Sequence, residues 1–169
     1  MSISPIAPAT FLFEDDGSIP NNPKLPLLFY AGAFEDVSPE RIEETFHANE
    51  WGNGWRASVF PFPHYHAEAH EALGCFRGTA TIRLGGTKGI EQKVQPGDVV
   101  IIPAGVGHEN LESTSDFTMV GAYPPGQDPD LQRGEHSERT WVIESIAKVP
   151  LPTADPILGK DGPLMKVWA

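Results

Sequence analysis

The chain is predicted to be all-β, a sandwich or barrel of many short strands, and three features carry that prediction. Short apolar or alternating runs recur from Trp55 to Tyr123, with turn signals between them. Pro and Gly number 17 each, without a G-x-y period or a low-complexity block; proline at that level, against roughly 5% on average, favours turns over long helices. The 169 residues suit one domain of this class, and a chain this long buries roughly 70% of its unfolded surface, enough for a core without staples.

Residues 1–37 read as an extended or irregular arm. Asp16-Gly17 and Pro20-Asn-Asn-Pro23 are turn chemistry, and Leu25 to Tyr30 is the first apolar segment. The arm is expected to lie across the barrel or to reach a partner subunit. Ser38-Pro39-Glu40 is a helix start: Ser38 caps, Pro39 suits the first helical position, and Glu40 favours the positive end of the dipole. Val37 and Ile42 are spaced as a hydrophobic staple. Ile42 and Phe46 share a face, which predicts one short helix to about Ala48, ended by Trp51-Gly-Asn-Gly-Trp55.

From Trp55 the pattern turns to β. Arg56, Ser58, Phe60, Phe62, His64 and His66 share one parity, interrupted by Pro61 and Pro63, which mark an edge or bulged strand. Glu71 to Arg77 is a second strand and Thr79 to Leu84 a third. Glycines 85, 86 and 89 turn the chain, and Ile90 to Val94 returns. Gln95-Pro-Gly-Asp98 is a β-turn with Pro and Gly in its central positions. Val99 to Ile102 is a wholly apolar strand, the loop 103–107 delivers His108, and Phe117 to Tyr123 is a further strand. Pro124 to Glu138 is a polar loop, in which Asp128, Asp130 and His136 are assigned no role. Thr140 to Val149 is expected to be a late strand. The tail from Pro150 ends apolar and is expected to dock rather than hang free. The resulting division is 1–50 as arm and helix packed on the barrel, 51–149 as the barrel, and 150–169 as the docked tail, together one structural domain.

The net charge is −11, with a pI near 4.8. An acidic surface repels phosphate backbones and anionic lipid, which argues against nucleic acid and membrane as partners. Met1 to Thr10 carry no charged-then-apolar secretory pattern, and the apolar stretches are too short to span a bilayer. Cys75 is the sole cysteine, so no internal disulfide can form, which fits a reducing, cytoplasmic setting.

The chemistry gathers in His64-Tyr-His66-Ala-Glu-Ala-His70-Glu71, which holds three of the six histidines. Two imidazoles two apart on a strand face one way and can share a metal ion. Glu71 and His108 can complete the set. Neutral imidazoles suit Zn, Cu, Fe and Ni, and a carboxylate adds oxygen character. His70 is the alternative to Glu71: alternation turns the two to opposite faces, and a bulge after His66 reverses them. Arg56, by its shared parity with His64, is a candidate for meeting an anionic substrate, but a surface ion pair is the favoured reading, because charged groups are rarely buried unpaired. Phe60, Phe62, Cys75 and Tyr123 are further pocket candidates, with ordinary core roles as the alternative. Glu109 and Asn110, next to His108, could support a ligand from behind.

Two motifs can then be taken together. His64-x-His66-(four residues)-Glu71-(six residues)-Gly78 resembles the first cupin motif, and Gly97-(five residues)-Pro103-x-Gly105-(two residues)-His108 resembles the second. Ser58 stands where the first motif commonly opens with Gly, and Glu112 where the second commonly ends with Asn; neither touches a candidate ligand. The wider chain is similar to the YjlB-like bacterial cupins, through Phe13-Glu-Asp-Asp-Gly17, Pro20 to Pro23, His70 to Gly74, Pro103 to His108, Gly121 to Pro124 and the Asp155-to-Leu164 tail. The resemblance implies a double-stranded β-helix, the jelly-roll barrel, with His64, His66, Glu71 and His108 around one divalent first-row metal per chain (Fe, Mn, Ni or Zn). It also implies an open coordination position, a small-molecule ligand and a homodimer. The activity stays open between a metalloenzyme of dioxygenase, isomerase or decarboxylase type and a non-catalytic small-molecule or metal-binding module.

Overall fold

The computed structural model describes residues 7–134 and 138–169. The first six residues, part of the segment read for a secretory signal, and His136 lie outside them. Two antiparallel sheets make up the body. The larger holds β1 (Ala9–Phe11), β2 (Leu27–Tyr30), β3 (Gly52–Ala57), β4 (Glu71–Arg77), β7 (Val99–Ile102) and β9 (Thr118–Tyr123), in the order β1-β2-β7-β4-β9-β3. The smaller holds β5 (Ala80–Leu84), β6 (Ile90–Val94) and β8 (His108–Ser113), in the order β6-β5-β8.

The first core lies between the sheets. Leu27, Leu73, Val100 and Ile102 from the larger meet Ile82, Leu84 and Val94 from the smaller. Alternate residues of the same large-sheet strands, Leu28, Ala72, Val99 and Ile101, bury on the opposite face. That double burial is why β7 is apolar at all four positions.

Helix α1 (Pro39–Ala48) covers part of the outer face. Ser38 accepts a hydrogen bond from the Arg41 amide at 3.2 Å, and Ile42 and Phe46 are buried beneath the helix. Its close approach depends on Gly74 in β4: a Cβ there would lie 2.8 Å from Ile42 Cγ2 and 3.2 Å from Phe46 Cζ. The tail packs on the same outer core through Ile157, Leu164 and Trp168, and helix α3 (Pro163–Val167) carries its end. The Trp168 indole donates to the Pro26 carbonyl at 2.8 Å.

Two expectations fail. Thr140 to Val149 is no strand; Arg139–Lys148 form helix α2. Val142 and Ile146, one helical turn apart, bury against Tyr65, Ala67 and Ala104, while Trp141 and Ile143 stay 45% exposed. Apolar residues at 141, 142, 143 and 146 satisfy either period, and the cluster beneath the helix selects the helical one. The strand begun before Trp55 ends at Ala57, and residues 58–63 leave the sheet. Pro61 and Pro63 lack the amide needed to continue a ladder, so the parity linking Arg56 to His64 is broken.

Candidate metal centre

Three chain segments deliver the polar groups. His64 and His108 form an isolated bridge, with His64 N–H donating to the His108 carbonyl at 3.2 Å and His108 N–H to the His64 carbonyl at 2.9 Å. His108 also pairs with Leu84 as the first residue of β8, so this bridge attaches the histidine segment to the smaller sheet. His66 follows two residues on. Glu71 opens β4 opposite Ile102 in the larger sheet.

The side chains converge. His64, His66 and His108 each offer a nitrogen, and these atoms lie within 4.8 Å of one another, an arrangement that could hold a metal ion. Glu71 Oε1 lies 3.4 Å from His66 Nε2 and 3.3 Å from His108 Nε2. Each ring is aimed by its other nitrogen. Nδ1 of His64 meets the Phe62 carbonyl at 3.0 Å, Nδ1 of His108 meets the Val106 carbonyl at 3.2 Å, and Nδ1 of His66 meets the Asp130 carbonyl. A carbonyl only accepts, so Nδ1 carries a proton in each ring, and Nε2 is left with its lone pair whenever the ring is neutral. This is how protein-bound metals commonly have their histidines oriented.

Glu71 is held in a matching way. Its Oε2 accepts from the Tyr123 hydroxyl at 2.9 Å, and that hydroxyl accepts in turn from the Trp55 indole. Its Oε1 is buried with no hydrogen-bond donor satisfied upon it. Burial alone would raise the carboxyl, but His66 and His108 outweigh it and hold Glu71 well below the usual carboxylate range. For His66, burial works downward, and the nearby Glu71 charge and the Asp130 carbonyl more than reverse it. Burial, with the neighbouring His108, pulls His64 down to about 3, so that ring is neutral. Nitrogen lone pairs plus a buried carboxylate oxygen without a donor are a donor set that fits a divalent cation.

A cavity of about 280 Å³ opens beside these groups. Its walls include Trp55, Val59, Phe60, Leu73 and Tyr123, together with the three histidines and Glu71.

The remaining candidates fall elsewhere. Arg56 faces α1, paired with Glu43 at 2.7 Å and Glu40 at 3.1 Å, and so does not project toward the imidazoles. Cys75 is buried in the core between the sheets and does not line the cavity; burial pushes its thiol up to about 11. Phe62 stacks on Phe60 at 4.9 Å but is not itself a wall residue. Glu109 lies 3.8 Å from Arg83, and Asn110 reaches Ser113. His70 points away from the cluster. Its Nδ1 accepts from the Ala104 amide at 2.9 Å, its ring lies 4.8 Å from Trp168, and burial lowers it to about 4.

Asp130 was given no role by its sequence context, yet it anchors the site. Its carboxylate accepts from the amides of Ala67 and Glu68 at 2.8 and 2.9 Å, which fixes the carbonyl that receives His66. No local spacing announces this, because donor and acceptor lie far apart in the chain.

Comparison with known proteins identifies the family. A family model described as a Cupin domain matches residues 56–123. The uncharacterized protein YjlB of Bacillus subtilis (strain 168) is 45% identical over 159 residues, covering 94% of this chain and 95% of that one. Among solved structures, NovW, a 4-keto-6-deoxy sugar epimerase from Streptomyces spheroides, is 15% identical with a TM-score of 0.44, over 96% of this chain and 83% of its own. The 3,4-ketoisomerase QdtA from Thermoanaerobacterium thermosaccharolyticum, in complex with TDP-4-keto-6-deoxyglucose, is 17% identical with a TM-score of 0.43, over 58% of this chain and 75% of its own. With its matching domain and its near full-length likeness to YjlB, the chain belongs to the cupin superfamily, in the YjlB-like group.

Proposed function

We propose that the protein binds one divalent first-row transition metal, Fe, Mn, Ni or Zn, through His64, His66, Glu71 and His108, and acts on a small molecule in the adjoining cavity. One observation carries this reading. Three imidazoles turn their Nδ1–H groups to backbone carbonyls, which leaves three Nε2 lone pairs and Glu71 Oε1 facing a common space. The ion, when bound, supplies Lewis acidity and a coordination position for an oxygen of the substrate. Tyr123 and Trp55 hold Glu71 in register, and the apolar walls exclude water from the ligand's body. Dioxygenase, isomerase and decarboxylase chemistry all accord with this arrangement.

The test is elemental analysis of purified protein. About one equivalent of metal is expected, lost in His64→Ala and His108→Ala; a wild-type chain that retains no ion, or variants that keep it, would overturn the assignment. Turnover that disappears with the metal would support an enzyme.

A second reading, a non-catalytic binding module, has its own support. Apart from the four proposed ligands, the described cavity walls offer only the Ser58 and Tyr123 hydroxyls as polar side chains, Trp55's indole being spent on Tyr123. Burial pushes the Tyr123 hydroxyl far above its usual range, so it stays protonated and cannot serve as a base. Tight ligand binding with no chemical change would favour this module. Pairing of two copies and a cytoplasmic setting belong to the same proposal. Exposed Trp141 and Ile143 on α2 are an apolar surface that a second copy could cover, and light scattering giving a monomer mass would remove the dimer.

A further inference from the structure

The cavity's walls define what it can admit. Trp55, Ala57, Val59, Phe60 and Leu73 make them mostly apolar, and no Lys or Arg is among the described lining residues. Arg56, adjacent in sequence to the wall residues Trp55 and Ala57, is engaged with α1, and Arg133 lies against the Phe62 ring at 3.6 Å, outside the lining. The whole chain carries a net charge of −11. A ligand with two or more negative charges would meet no Lys or Arg among the described walls, and burying an uncompensated charge is costly.

Charge at the centre sets the complement. The three imidazoles are neutral when their Nε2 atoms coordinate. A divalent ion with the Glu71 carboxylate therefore leaves one positive charge, which a ligand carrying a single negative charge neutralises. The volume, about 280 Å³, lies at the lower limit for small-molecule sites, which run from roughly 300 to 1,000 Å³. That is room for one ring, not for a nucleotide.

The rim adds a platform. Phe60 is 50% exposed, unusual for so large an apolar side chain beside a buried polar cluster. It is not loose. It stacks on Phe62 with ring planes 14° apart, meets His64 edge-on at 5.2 Å, and its carbonyl accepts from the Asn110 amide at 2.9 Å. Pro61 follows it and further stiffens the backbone. A fixed aromatic face at the mouth of an apolar cavity is suited to stack on a planar ring.

We propose that the ligand class of this site is a single-ring, largely apolar molecule with one singly charged pair of oxygen donors, and that Phe60 is the residue that selects the ring. This rests on the metal reading above. The probes are acetohydroxamate and benzohydroxamate, which share one metal-binding head and differ in the ring. Calorimetric titration of metal-loaded protein is expected to show benzohydroxamate binding at least tenfold tighter, beyond any difference the two show for the ion in solution. Phe60→Ala should bring that ratio toward one, by weakening benzohydroxamate more than acetohydroxamate. Ala57→Leu, which narrows the same cavity, should weaken benzohydroxamate selectively. Inorganic pyrophosphate, a small polyanion, should bind more weakly than benzohydroxamate. Retained metal with equal hydroxamate affinities, or tighter pyrophosphate binding, would overturn this inference and leave the metal site standing. A protein that retains no metal would overturn both.

Discussion

His64 and His108 are joined twice through the backbone, each donating its amide to the other's carbonyl, at 3.2 and 2.9 Å. Their rings lie 4.1 Å apart by centroid. The bridge uses no side-chain atom, so the two backbone segments stay joined whatever side chain stands at either position. His64→Ala should therefore keep the fold while losing the metal. Circular dichroism should be unchanged, and metal retained after dialysis should fall to a small fraction of the wild-type amount.

The Tyr123 hydroxyl touches the centre through Glu71 Oε2, and its ring meets His66 edge-on at 6.4 Å. Tyr123→Phe removes the donor to Glu71 Oε2 and the acceptor for the Trp55 indole together. Supports of this kind typically change metal affinity by about 10–100-fold, and that loss is expected in a chelator competition assay. Metal stoichiometry at saturating metal should stay near one. Unchanged affinity would mean that Glu71 holds its position without the hydroxyl.

Gly74 makes room for α1. Gly74→Ala forces a methyl into the space held by Ile42 and Phe46. Overpacking of this kind costs about 1–3 kcal/mol, to be read as a lower urea midpoint. Metal content should be unaffected, because the added methyl enters the outer core, away from the imidazoles.

Asp155 ties the tail down. Its Oδ1 accepts from the amides of Ile157 and Leu158, and its Oδ2 from the Leu164 amide and the Tyr30 hydroxyl. Asp155→Ala leaves these buried donors unpaired, at a cost of about 2–4 kcal/mol. Faster tryptic cleavage at Lys160 and Lys166 is the expected signature.

His70 makes the metal-free protein acid-sensitive. Its folded pKa is lowered to about 4 by burial, against 6.5 for an ordinary imidazole. Above pH 6.5 both states are neutral and His70 has no effect. As pH falls below 6.5 the unfolded chain takes up a proton that the folded one refuses, so stability drops, reaching about 2 kcal/mol of loss by pH 5. His70→Asn keeps an acceptor for the Ala104 amide and removes the titration. The variant should lose less stability than wild type between pH 7.5 and pH 5 in urea titrations of apo protein; parallel slopes would contradict this.

Much of the β architecture was legible in the sequence because it is written in local signals. The wholly apolar run 99–102 and the Pro-Gly turn before it mark a doubly buried strand without reference to the rest of the chain. The positions His64, His66, Glu71 and His108 were readable from two spaced motifs, and the chain does bring those side chains together. What was not legible depended on distant partners. Helix α2 is chosen over a strand by Tyr65, Ala67 and Ala104 beneath it. Arg56 makes the surface ion pair its exposure-prone charge favours, with Glu40 and Glu43, and its shared parity with His64 carries nothing because two prolines interrupt the alternation between them. Asp130 acts through its carbonyl on His66 and through its carboxylate on the Ala67 and Glu68 amides, all distant in the chain, so nothing local to it revealed the role.

His108 belongs to the smaller sheet, Glu71 to the larger, and His64 and His66 to the segment crossing between them. An ion gripped by all four can be held only after the two layers have closed on each other. Nascent or half-assembled chains would lack high affinity, and loading would be among the last events of maturation. Once in place, the ion would act as a rivet through the closed sandwich, slowing its opening far more than it speeds its formation.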